Sequence, residues 1–349
     1  MKLKKLFAIL LSSLMLLSAV SCTATPPETT ASIENNGGTD TVVDPVPGVP
    51  ELETRVMVLN GTTGFGMAYL MEQSAQGQAA LNYTFSVETA APNILSALIN
   101  GTVDIAALPT NAAATVYNKT EGKVQIAALN TLGVLYVLEK GETVTDFASL
   151  KGKTVYVPGQ GSNPEYVFSY LCAQNGLEIG KDITIDYSYN EPADLRTAVA
   201  AGNVEIAVLP EPMVTIAKSA NADLRVALDL TAEWNKVAPE DSLVQGCIVV
   251  RREFAEENPG ALGAFLTEYE RSVKYAQENP DEAGELIAAQ GIFANAGVAA
   301  KALPNCNICF IAGADMSAKL DPFFEVLHTA NPASVGGKIP AADIYYIAE

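Results

Sequence analysis

The sequence predicts an α/β protein made of two similar parallel-sheet lobes joined by two crossover segments. Three observations carry that prediction. "GTVDIAALPT" from Gly101 returns as "GNVEIAVLPE" from Gly202, and aligning Ala97–Asn111 with Ala198–Pro212 gives 7 identities in 15 positions at an offset of 101. Composition alone gives about one or two. Each copy is preceded by the same succession of strand-like and helix-like stretches. The helical stretches begin near Pro and end near Gly, the asymmetry that marks helix starts and stops.

The first copy opens with "RVMVLNGTTGFGMAYLMEQ" from Arg55 and the second with "KTVYVPGQGSNPEYVFSYLCAQ" from Lys153. Each reads as a strand, a small-residue turn, and a helix with apolar spacing: Phe65, Tyr69 and Leu70 in one, Tyr166, Phe168, Tyr170 and Leu171 in the other. A second strand follows, "NYTFSVE" or "ITIDYSY", with alternating apolar positions. Then comes a helix opened by Pro92 or Pro192 and closed by Gly101 or Gly202. The third strand is the repeated motif itself, continuous enough in apolar residues to be covered on both faces. Pro109 and Pro210 stop it, and another helix follows. Beyond the second copy, 224–230 and 242–250 read as strands. "NPGALGAFLTEYERSVKYAQENP" from Asn258 reads as a helix burying Leu262, Phe265, Leu266, Tyr269 and Val273. The C-terminal hundred residues are expected to pack back on the first lobe. The predicted organisation is therefore 51–140 plus 244–349 for lobe 1 and 141–243 for lobe 2.

Ahead of this body, "MKLKKLFAILLSSLMLLSAVSC" has three lysines, an apolar run and small residues, the layout of an export signal. Residues 1–22 are read as a lipoprotein signal peptide, with Cys22 as the lipidated residue. Residues 23–50 hold five prolines, four acidic residues and no Lys, Arg or aromatic, and so bury too little to order themselves. They are read as a disordered tether to the membrane lipid. The formal net charge is −19, or −22 once Lys2, Lys4 and Lys5 leave with the signal. So acidic a body excludes nucleic acid as a partner. The export route permits disulfides, and Cys306 and Cys309 in "CNIC" are either a bonded pair or reduced core thiols. With one histidine, His328, no metal site is expected.

In an open parallel sheet the useful crevice lies beyond the carboxyl ends of the strands. The repeat puts equivalent strand-to-helix turns there: Thr62, Thr63 and Gly64, then Pro109, Thr110 and Asn111, in the first lobe; Gly161, Ser162 and Asn163, then Glu211, in the second. Such turns offer free backbone N–H groups at helix starts. None of these turns holds an Arg or Lys, while Glu191 and Glu211 lie close by. A small ligand with an amino-heterocycle is thus favoured over a sulfonate or nitrate, with Phe65, Tyr136 or Tyr166 for stacking.

"EIAVLPEP", "VVRREFAEENPGALGAFLTEYE" and the lipid-type signal resemble the substrate-binding proteins of bacterial ABC importers. The group they are most similar to is the nitrate, sulfonate and taurine type, which includes thiamin-pyrimidine-precursor binders and related synthases. The resemblance implies a type II periplasmic-binding-protein fold that closes like a hinge, with crossovers near Glu139–Gly152 and Leu230–Gln245. It implies an extracytoplasmic, lipid-anchored monomer that delivers a small molecule to an ABC permease and needs no cofactor. An enzyme is not expected: the related synthases depend on histidines, and His328 lies outside both copies. A ligand sensor without a transport role is the alternative.

Overall fold

The structure, a computed structural model, describes residues 52–348. The signal peptide, Cys22 and the tether lie outside the described residues. The first copy supplies β1 (Glu53–Leu59), α1 (Thr62–Phe65), α2 (Ala68–Ala75), β2 (Asn82–Glu88), α3 (Ala91–Ile99), β3 (Ile105–Pro109), α4 (Thr110–Lys119) and β4 (Val124–Thr131). A crossover leads to β5 (Leu135–Lys140). The second copy supplies β6 (Thr154–Tyr156), α5 (Asn163–Gln174), β7 (Thr184–Asp186), α6 (Pro192–Ala200), β8 (Ile206–Pro210), α7 (Met213–Ala220) and β9 (Leu224–Asp229). After α8 (Leu230–Trp234) the chain returns through β10 (Gly246–Arg251), α9 (Arg252–Glu257), α10 (Pro259–Glu278), α11 (Pro280–Ala289), α12 (Ala296–Ala302), β11 (Ile308–Ile311) and α13 (Asp315–Ala330).

One sheet has the order β11-β4-β10-β3-β1-β2 and the other β7-β6-β8-β5-β9. Dropping β11 makes the two orders superimpose, copy on copy. The repeated strands β3 and β8 sit inside their sheets, and Ile105–Leu108 and Ile206–Leu209 are buried throughout. That explains why both are unbroken apolar runs. Pro92 and Pro192 open α3 and α6 within their first turns, where a missing N–H costs nothing. On α10, Leu262, Phe265, Tyr269 and Val273 are buried as the helical spacing requires, while Leu266 is only partly covered.

Two expectations need correction. The sheets are mixed, not purely parallel: β10 runs antiparallel to β3 and β4, and β5 antiparallel to β8 and β9. Each of these strands enters from the other lobe, at the carboxyl end of its new neighbours, so it must run against them. The first crossover is also earlier than expected. Because β5 belongs to the second sheet, the chain changes lobe across Leu132–Val134, not across Glu139–Gly152. The C-terminal segment does pack mainly on the first lobe, but α13 lies against α5 of the second. Phe323 meets Trp234 edge-on at 5.7 Å, and Lys319 pairs with Asp241 at 3.0 Å. The apolar core runs without a break from Leu108 and Ala113 through Leu243 and Val244 to Val208 and Phe168.

Buried carboxylates away from the turns are held by paired donors in both lobes: Asp104 and Glu268 in the first, Glu139 in the second. Asp104 accepts bonds from Arg55 (2.7 Å) and Arg251 (2.8 Å). Burial alone would raise its pKa, but those guanidinium bonds outweigh burial and hold it below the ordinary value. Its partner in the repeat, Glu205, is exposed. The second lobe uses Glu139 instead. Burial would raise that carboxyl too, yet bonds from Thr143 and Val144 and the charge of Arg225 lower it.

Candidate ligand-binding cleft

The crossovers join the lobes at the carboxyl ends of β3 and β8. Gly246, the first residue of β10, pairs with Pro109, and Leu135, the first of β5, pairs with Pro210. The turns after β3 and β8 therefore lie on the boundary between the lobes. Thr110 and Glu211 occupy equivalent positions in the repeat and are treated alike. The Thr110 N–H donates to the Gln245 carbonyl (3.2 Å), and the Glu211 N–H donates to the Val134 carbonyl (2.9 Å).

Several predicted residues are engaged in building these turns. Thr110 is fully buried, and its hydroxyl donates to the Val244 carbonyl at 2.7 Å. Phe65, expected to stack on ligand, has no exposed surface; it packs in the first-lobe core, edge-on to Phe293 at 6.1 Å. Gly64 is a packing glycine: a Cβ there would come within 2.5 Å of the Leu59 carbonyl and 2.7 Å of Val58. Thr62, Thr63, Pro109 and Asn111 are half-buried at the starts of α1 and α4, neither of which has a side-chain cap. Tyr166 is also buried, its hydroxyl donating to the Gly161 carbonyl (2.8 Å) and accepting from Asn331 (3.0 Å).

The second lobe presents acceptors. Glu165 sits in the first turn of α5 and takes the Gly161 N–H and the Tyr187 hydroxyl. Glu211, 3% exposed, accepts from the N–H and hydroxyl of Thr215, both at 3.0 Å, and so caps α7. Burial pushes its carboxyl above the usual range, against the pull of Thr215 and Lys218. Glu191 is exposed at the start of α6 and does not cap it with its side chain. Ser162 is half-buried ahead of α5, and the Oδ1 of Asn163 is buried without a hydrogen-bond partner. A buried acceptor left without a donor costs about 1–3 kcal/mol.

A cavity of about 520 Å³ spans the boundary, with Tyr136, Glu211, Lys218 and Asp229 on the second-lobe side and Lys301 and Asn305 on the first-lobe side. The Tyr136 hydroxyl crosses it to donate to the Asn305 carbonyl at 2.8 Å. Of the predicted site residues, Tyr136 and Glu211 share this cavity, while Thr62, Thr63, Asn111, Ser162 and Asn163 do not line it. Asp229 and Asn305 in the cavity, and Asn130 and Gln245 beside the crossovers, escaped the sequence reading. For Asn130 and Gln245 the signal was a polar residue on an apolar strand: an "NT" pair closing "VQIAALNT", and a lone Gln in "SLVQGCIVV".

Cys306 and Cys309 are separate thiols, not a bonded pair. Cys306 lies in the first-lobe core, while the Cys309 thiol faces the Leu129 carbonyl (3.7 Å), and burial pushes the latter up to about 12. Among the described residues no three His, Cys, Asp or Glu cluster as metal ligands, and no helix is long and apolar enough to cross a membrane.

Residues 88–283, more than half of the chain, match the NMT1/THI5 like family. The chain belongs to the NMT1/THI5-like family. Among solved structures, this family member is similar to an ABC transporter from Parabacteroides distasonis, with 26% identity over 85% of this chain and 99% of that one, at a TM-score of 0.72. It is also similar in fold to the periplasmic aliphatic sulphonate binding protein SsuA of Escherichia coli, at 17% identity, 85% and 92% coverage, and a TM-score of 0.67. The two lobes, mixed sheets and paired crossovers are those of type II periplasmic binding proteins. A protein named as a binding protein in Brucella abortus is 22% identical over 203 residues, 58% of this chain and 60% of its own length. The match thus spans less than two thirds of that relative.

Proposed function

We propose that this protein is the extracytoplasmic binding component of an ABC import system, held at the membrane through lipid on Cys22. Its lobes shut on a small ligand, and the closed form is what the permease accepts. The observation that supports this reading most strongly is the paired treatment of Thr110 and Glu211. Equivalent turns from two copies of one motif are each tied to a crossover at the lobe boundary, so contact with both turn sets depends on how the lobes sit. Ligand then shifts the open–closed balance by its difference in affinity for the two forms.

The ligand we propose carries N–H donors, as an amino-heterocycle does. Glu211 and Asp229 line the cavity beside Lys218 and Lys301 and offer carboxylate acceptors there, while the Oδ1 of Asn163, at the start of α5 outside the cavity, has no donor. The start of α5 already holds the Glu165 carboxylate, which disfavours nitrate or a sulfonate there. With Phe65 buried, the aromatic surface near ligand is Tyr136. A thermal-shift screen of the purified protein against amino-heterocycles, amino acids, sulfonates, taurine and nitrate tests this. Ligand at 100 times its Kd stabilises the fold by about 2.7 kcal/mol. Stabilisation by an amino-heterocycle is the expected result; stabilisation by sulfonate or nitrate alone overturns the ligand class.

A further inference from the structure

Between the two turn sets runs a continuous path of hydrogen bonds through the crossovers. Asn130, 1% exposed at the end of β4, donates its Nδ2 to the Thr63 carbonyl at 3.0 Å. Its Oδ1 accepts from the Thr131 hydroxyl at 3.0 Å. The Thr131 carbonyl takes the Gln245 N–H at 2.9 Å, which carries the path from the first crossover to the second. There the Gln245 side chain reaches back: its Oε1 accepts the Val134 N–H at 3.3 Å. The Val134 carbonyl in turn accepts from Glu211 in the second lobe, and the Gln245 carbonyl accepts from Thr110 in the first.

Gln245 is therefore the one residue in contact with every branch. Its N–H, carbonyl and side chain each serve a different segment, and Oε1 is the side-chain atom that ties one crossover to the other. The backbone around it leaves little slack. A Cβ on Gly246 would come within 2.5 Å of Asn130 Oδ1, and one on Gly133 within 2.2 Å of Thr231 Oγ1. Two strands held side by side by main-chain bonds alone can shear past one another. A side-chain bond across them at the pivot resists that shear.

We propose that Gln245 is a positioning residue of the hinge: through Oε1 it locks the two crossovers into one unit, so that the Thr110 and Glu211 turns move together rather than independently. The proposal rests on the binding-protein reading for its purpose, but its test does not need a ligand. Spin labels placed by bio-orthogonal chemistry on exposed Gln78 of the first lobe and exposed Lys181 of the second report the interlobe distance in the ligand-free protein. Gln245→Leu removes the acceptor at similar volume and should broaden the distance distribution. It should also lower the hydrogen-exchange protection of the Val134 amide by about tenfold, the loss of one net hydrogen bond. Gln245→Glu keeps an acceptor on the same stem and should leave both readings as in the parent. Should the Leu variant not fold, Gln245→Asn, one methylene short of Val134, takes its place with the same expectation. An unchanged distribution in the variant lacking reach or acceptor, or equal broadening in Gln245→Glu, overturns the assignment. A distribution that responds as stated while no compound in the screen shifts it overturns the binding reading and leaves the hinge tie standing.

Discussion

Replacing Gly246 by Ala should destabilise the protein by roughly 2–4 kcal/mol, although the change adds one methyl group to a buried strand. The added Cβ would stand 2.5 Å from Asn130 Oδ1, 2.9 Å from Thr131 Oγ1 and 3.0 Å from Thr131 Cβ. Forcing a methyl into a filled site costs about 1–3 kcal/mol. Relief by turning either side chain breaks the Thr131–Asn130 bond, a further loss of about 0.5–1.5 kcal/mol. The same substitution at Gly263, exposed inside α10 with nothing within 4 Å, should instead stabilise by about 0.5–1 kcal/mol, because glycine is a poor helix residue. Urea unfolding of both variants, followed by circular dichroism, gives the two free energies from midpoint and slope. The melting temperature should fall by about 4–10 °C for Gly246→Ala and rise slightly for Gly263→Ala. A Gly246→Ala variant within 0.5 kcal/mol of the parent, on the scale of an ordinary surface change, would show that the hinge has room and would refute the packing argument.

Asp104 and Glu139 are held below their ordinary values, so their contribution to stability is full above the unfolded pKa and lost as pH falls through the folded one. Unfolding free energy should therefore drop below about pH 4, and Asp104→Asn should flatten that drop in a urea series from pH 3 to 7. Glu211 has the opposite sign: raised by burial, it loses stability as pH climbs through its folded value, and Glu211→Gln should remove that loss in the same series. Cys22→Ala should move the protein from the membrane fraction to the soluble one, with the acyl mass gone from its N-terminus. Asn163→Leu should raise the melting temperature of the free protein, because it removes a buried acceptor that has no donor, while weakening binding of the ligand found in the screen by about tenfold or more.

The fold is legible in the sequence where one residue type answers to one cause. Pro92 and Pro192 mark helix starts because the ring suits a first turn, and β3 and β8 read as buried strands because both faces are covered. Strand direction has no such signature. "LYVLEK" has the same apolar pattern whichever way it runs, so neither the antiparallel setting of β5 nor its place in the second sheet was visible. Side-chain roles failed for a related reason. Phe65 is equally suited to core and to ligand, and its helix turns it inward. Glu211 lines the cavity between the lobes, and its position two residues before α7 also makes it a cap. Asn130 and Gln245 stood out in the sequence only as polar residues on apolar strands; the distant backbone groups they bond, Thr63 and Val134, left no local mark.

Ligand binding is expected to close the two lobes on each other. Small-angle X-ray scattering of the protein before and after saturation with the stabilising compound tests it directly. A smaller radius of gyration in the bound form is the predicted result. A compound that binds one to one and leaves the radius unchanged would contradict hinge closure.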